Sequence, residues 1–189
     1  MTSRIARWAS ILLVATTAVP ARAQRHHDPL TEAEINQIRD TSWEPGRRLP
    51  LYVGFARARL VKMEQMRSDP KTKNRGQQTH DLLDEFQALY DELNDNIDTY
   101  VDRRDDIRKP LKTVLDADTE FQSKLRALKD AANVSPQEAA MYEFVLTNAI
   151  DAVDSATNDH RKLLNDQEEQ AKHKRLNKHP SEGTGVAPE

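Results

Sequence analysis

Apolar side chains recur every seven residues from Phe86 onward: Phe86, Leu93, Tyr100, Ile107, Val114, Phe121 and Leu128. A companion series runs Leu83, Tyr90, Ile97, Arg104, Leu111, Asp118, Leu125 and Ala132, interrupted only by Arg104 and Asp118. A period of seven lays both series along one stripe of an α-helix and implies left-handed supercoiling against partner helices. The rhythm passes Pro110 without a change of phase. It therefore predicts one helix from about Gln77 to Ala132, kinked rather than broken at Pro110, although an interior proline costs about 3 kcal/mol. The expected fold class is all-α: an elongated antiparallel helical bundle or coiled coil built on that long helix. The alternative is a compact four-helix bundle broken at Pro110.

Local signals place the other elements. In "LTEAEINQIRD", Thr31 and Glu34 have capping-box spacing, which predicts a first short helix with Ile35 and Ile38 on its inner side. "SWEPGRR" reads as a turn region. Pro50 suits the first turn of a second helix that extends to about Ser68. Gly54 weakens that helix by roughly 1 kcal/mol relative to alanine, unless a close helix contact needs the space. After the polar loop "DPKTKNRG" comes the long helix. Ser135 at the N-cap, Pro136 at the first helical position and Glu138 two residues later start a last helix that fades near Gln170. The second helix folds back over the N-terminal part of the long helix. The last helix folds back over its C-terminal part, where Ala149, Ala152 and Ala156 permit close approach. The face from Leu82 to Ile97 is wider than one partner covers.

The first 24 residues, "MTSRIARWASILLVATTAVPARAQ", change the domain picture. Arg4 and Arg7, the apolar run from Trp8 to Val19 and the Ala21-Arg22-Ala23 site read as a secretory signal peptide. The run is too short to span a bilayer, which takes about 20 residues. The expected organisation is a signal peptide over 1–23, a helical bundle domain over 24–170 and a disordered tail over 171–189. The expected location is periplasmic or secreted, with no transmembrane segment in the mature chain.

Composition narrows the chemistry. The chain has 189 residues and no cysteine, which rules out disulfides, thiol catalysis and thiolate metal sites. Without the leader the chain carries 25 basic and 31 acidic residues, a mildly acidic balance that argues against nucleic acid as a partner. Asp84, Asp91, Asp95, Asp98, Asp102 and Asp105 recur at helical spacing and read as a solvated face. His-Glu-x-x-His, Gly-x-Ser-x-Gly and phosphate-loop patterns do not occur, and no histidine follows a glutamate by three residues. The sequence implies no catalytic residue and no cofactor.

Two constellations remain. Cleavage after Ala23 would expose Gln24-Arg25-His26, and an amine, two amides and the His26 imidazole can wrap a square-planar Cu(II) or Ni(II). Arg104 and Asp118 would be costly to bury in the seam without partners. Within one chain, the last hairpin would place Asp118 near Asn148 and Arg104 near Asp159 or Asp166. Between two chains, an antiparallel homodimer centred near Leu111 would set Arg104 against Asp118. A cluster of Asp118, Asn148, Asp159 and His160 would favour metal or small-ligand binding.

The stretches "RRLPLYVGFARARL" (Arg47 to Leu60) and "HDLLDEF" (His80 to Phe86) resemble a set of exported bacterial helical proteins that carry no assigned function. The resemblance implies export and helicity and supplies no site residues. The functional expectation is an exported, non-enzymatic interaction, scaffold or chaperone-like protein of the cell envelope. A chaperone-like protein would work through an open groove near Leu82 to Ile97. The alternative expectation is a metal or small-ligand binder.

Overall fold

The computed structural model describes residues 28–132 and 134–178. Within them lie six helices and no strand: α1 (Glu32–Ile38), α2 (Pro45–Ser68), α3 (Arg75–Asp102), α4 (Arg108–Lys129), α5 (Pro136–Ala140) and α6 (Glu143–Lys178). The protein is an all-α helical bundle. The leader-like residues 1–23, His26 and residues 179–189 lie outside the described residues.

The single long helix is corrected. The chain reverses between α3 and α4, so Phe121 meets Phe86 edge-on with ring centroids 5.3 Å apart. On one continuous helix those two rings would stand about 50 Å apart. The reversal is a Schellman turn: the Arg104 N–H donates to the Val101 carbonyl and the Asp105 N–H to the Tyr100 carbonyl. Arg104 has φ 61°, the left-handed position that glycine usually fills. Pro110 does not break anything. It occupies the third position of α4, where its missing N–H would have had no helical partner, and the first helical bond runs from the Leu111 N–H to the Ile107 carbonyl at 2.9 Å.

Energetics explains the choice. A left-handed residue costs about 1–2 kcal/mol. Each large apolar side chain taken out of water contributes about 1.5–3 kcal/mol. Reversal lets both halves of the seven-residue series share one core, and Phe86, Leu93, Tyr100, Ile107, Val114 and Phe121 are all buried to 1 % exposure or less.

Four helices carry the bundle. Arg59 pairs with Glu85 and Arg67 with Thr79, which sets α2 antiparallel to α3. Arg126 pairs with Asp154 and Lys112 with Glu168, which sets α4 antiparallel to α6. α2 also packs on α4 and α6 on α3, so α3 and α4 face each other across the diagonal and meet through their side chains. Phe86 and Tyr90 stack at 5.8 Å, and Phe121 meets both edge-on. The alternative four-helix bundle is the arrangement found, with its break at 103–107 rather than at Pro110.

Several boundaries also move. The capping box of Thr31 and Glu34 forms as expected. α2 begins at Pro45, five residues before Pro50, which sits inside the helix and denies the Gly46 carbonyl its usual partner. Ser135 caps α5, which lasts only to Ala140 before α6 starts afresh at Glu143. α6 continues to Lys178, so residues 171–178 are helix and not tail. Gly54 has open space where a Cβ would go. The close approach is at Gly76, where a Cβ would stand 2.7 Å from Met141 Sδ. Glu138 of α5 holds that corner by bonding both Arg67 and Arg75. The broad face from Leu82 to Ile97 is closed by packing, which removes the open groove expected there: Leu82, Leu83, Phe86, Leu89, Tyr90, Leu93 and Ile97 are all buried. No helix among the described residues is long and apolar enough to cross a membrane.

Candidate functional site

Asp118 occupies an inward position of α4 and is completely buried. A carboxylate there requires donors, because an unpaired buried charge is very costly. It has two. The Tyr90 hydroxyl from α3 donates to Oδ1 at 2.7 Å, and His160 Nδ1 from α6 lies 2.8 Å from Oδ2. Burial, together with the neighbouring Asp118 charge, pushes the Tyr90 phenol far above its ordinary value, so Tyr90 keeps its proton and serves as a donor. A carboxylate oxygen accepts the hydrogen of the facing ring nitrogen, so His160 Nδ1 is spent on Asp118 and the second nitrogen, Nε2, stays outside the network.

His160 is 4 % exposed and lines a cleft of about 460 Å³ between α3 and α6. Nε2 has no hydrogen-bond partner among the described residues, and it is not among the polar atoms sealed from solvent without one. It therefore opens on the cleft. The opening exists because α6 presents Ala152, Ser155 and Ala156 to α3, and such short side chains leave the gap unfilled. Ile97, Val101 and Leu163 form its apolar lining, while Asn94, Asp98 and Asp159 supply polar groups. Behind the imidazole, Thr157 is buried and donates to the Val153 carbonyl at 2.6 Å while accepting from Gln122 at 3.2 Å. This bonded layer steadies the turn of α6 that carries His160.

The expected polar residues disperse. Asp118 and His160 come together. Asn148, half-buried, does not join them: α4 and α6 pair in a register that sets Asp118 opposite a residue twelve positions later on α6. The shift arises because residues 130–142, α5 included, form the connection that a tight Ser135 turn was expected to provide. Asp159 is exposed and lines the cleft beside His160. Arg104 is exposed in the reversal turn and lines a different depression together with Asp166, at the end of the bundle. Leu111 and Asp118 are at zero exposure inside one chain, so the seam expected to face a second copy is covered within the bundle. Ala149 is buried in the core, whereas Ala152 and Ala156 border the cleft against α3. Asp84, Asp91, Asp95, Asp98 and Asp102 are exposed.

Tyr90 and Asn94 were not legible as site residues. Tyr90 belongs to the apolar series and counted as core. The signal available was that a buried tyrosine needs a hydroxyl partner and that Asp118 lies in the same series.

Ser155 shares the cleft, yet the only hydrogen bond of His160 among the described residues is to Asp118, so no nucleophile is engaged. No group of three or more His, Asp or Glu side chains among the described residues is arranged to hold a metal ion. Neither protein-family models, nor curated proteins, nor solved structures give a match to this chain.

Proposed function

We propose that this is an exported, non-enzymatic binding protein whose α3/α6 cleft takes a small ligand anchored on His160 Nε2. One observation carries the reading: the buried Tyr90–Asp118 pair engages the imidazole through Nδ1 and leaves its second nitrogen toward the cleft. A leucine at position 118 would pack the seam without the desolvation cost of an ion. The leader-like residues 1–23 support action outside the cytoplasm.

The test is a fragment screen followed through the imidazole nitrogens of a protein labelled with ¹⁵N-histidine. Hits are expected to shift the His160 signals, and Asp118→Asn is expected to weaken them by about tenfold, or about 1.4 kcal/mol. The asparagine amide would donate to Nδ1 and drive the proton to Nε2, which turns the cleft's acceptor into a donor. A screen in which no fragment moves His160 would overturn the reading.

A second reading, docking to a protein through helix surfaces, draws on Phe144 at 79 % and Met141 at 47 % exposure near the start of α6. Large apolar side chains left in water favour contact with a partner.

A further inference from the structure

We infer that the ligand of the α3/α6 cleft is an organic amine: a protonated nitrogen carried on an apolar body. The inference rests on the binding reading above and adds the chemistry of what binds. Polar groups of Asn94, Asp98, Ser155, Asp159 and His160 line the space and no lysine or arginine does. With the ring hydrogen on Nδ1, toward Asp118, His160 Nε2 offers a lone pair to the cleft. Asn94 also lines the cleft; its Oδ1 is sealed from solvent without a hydrogen-bond partner, so a ligand N–H would satisfy it once the side chain turns toward the cleft. Asp98 and Asp159 add two carboxylates.

Such a lining selects by charge and by hydrogen. A carboxylate or phosphate would meet two like charges and find no basic side chain to offset them. A neutral alcohol supplies one O–H and no charge. An ammonium supplies three N–H donors and a positive charge. Ile97 and Leu163 then give the hydrocarbon body an apolar wall, as small-ligand sites commonly do. The exposed carboxylates of α3 on either side, Asp91, Asp95 and Asp102, extend the negative field along the approach and favour arrival of a cation.

Three probes with the same hydrocarbon body isolate the headgroup: hexylamine, 1-hexanol and hexanoate, each titrated at neutral pH into the full chain labelled with ¹⁵N-histidine. Hexylamine is expected to move the His160 imidazole signals and to bind about tenfold more tightly than hexanol, with hexanoate weaker still. Two further variants locate the effect. Asp98→Asn with Asp159→Asn should bring amine and alcohol within about twofold of each other, and Asn94→Leu should weaken the amine while leaving thermal stability in place. If hexanol or hexanoate binds at His160 as tightly as the amine, the amine assignment falls and the cleft remains a binding site. If hexylamine perturbs only the exposed carboxylates of α3 and leaves His160 unmoved, the assignment falls as well. Failure of all three probes at His160 also defeats it, and the fragment screen then decides separately whether the cleft binds anything.

Discussion

Arg59 and Asp118 are both ionic groups buried in one small bundle, and the two are satisfied to different degrees. Arg59 is 7 % exposed, and its guanidinium makes four hydrogen bonds: both oxygens of Glu34, one of Glu85 and the Pro29 carbonyl accept from it. Every partner is protein, and the result fastens α1 to α2 and α3. Asp118 also accepts twice, but the chain of bonds it starts ends on an imidazole nitrogen that opens onto a cleft. A network whose partners are all protein closes the structure. One that stops at an unpartnered nitrogen leaves a place for something else. The contrast separates a buried charge that fastens elements from one that orients a site.

Breaking the fastening should have the largest effect. Arg59→Ala leaves Glu34 buried without its counter-charge and frees α1, so a loss of about 3–5 kcal/mol is expected in urea unfolding. A loss near the value of an exposed pair, under about 1 kcal/mol, would show that α1 is held by its apolar contacts instead. Acid supplies a second check. The Arg59 side chain, through its hydrogen bonds, holds the Glu34 carboxyl down at about 2, against an ordinary value of 4.5. A depressed carboxyl contributes stability that is complete above its unfolded value and disappears as pH falls through the folded one. Wild type should therefore lose stability between about pH 4.5 and 2, and a variant with Arg59→Met and Glu34→Leu should show a flatter profile over the same range.

The orienting network should behave otherwise, because its members are worth more to the site than to the fold. Asp118→Leu alone strands the Tyr90 hydroxyl and the His160 Nδ1–H, at a cost of about 1–3 kcal/mol. Adding Tyr90→Phe and His160→Leu removes the stranded donors and should restore most of that stability while abolishing any response of the cleft to ligand. Chemical denaturation of the single and triple variants reads the difference. A triple variant as unstable as the single one would mean that the polar network holds the bundle together, and the contrast with Arg59 would vanish.

Sequence pattern reached some of this and stopped at identifiable points. The cap at Thr31 and Glu34 was readable because both partners lie within one turn. The seven-residue series named core positions correctly, since a bundle helix and a coiled-coil helix use the same inward stripe. What the series cannot report is direction. Two antiparallel helices joined by a turn that preserves phase give the same string as one long helix. The only local mark was the run Asp102-Arg103-Arg104-Asp105-Asp106, five charged residues with no glycine among them. Pro110 drew attention to the wrong place, since a proline in a first turn leaves no trace. The site was half legible for a related reason. Asp118 stood out as a charge in an apolar series, but its two donors come from helices whose register depends on a thirteen-residue connection, 130–142, that short-range patterns do not fix.

Arg104 supplies the smallest effect and a control for the other two, because it is the second charge in the same apolar series and it turns outward. Its backbone sits at φ 61°, where a side chain is strained and glycine is not. Arg104→Gly removes that strain but adds freedom to the unfolded chain, and the two oppose each other. The strain term, about 1–2 kcal/mol, exceeds the entropic cost of a glycine, about 0.5–1 kcal/mol. A net gain of roughly 0.5–1 kcal/mol follows, which for a domain of this size raises the melting temperature by about 1–4 °C. Arg104→Ala keeps the strain while deleting the charge and should leave the melting temperature within about 1 °C of wild type. If alanine costs as much as Arg59→Ala does, the guanidinium at 104 makes a stabilising contact at the bundle end, and its outward position would not be the neutral one described. If glycine gains and alanine does not, position 104 matters through its backbone alone, and a charge in this apolar series has consequences for stability only where the fold buries it.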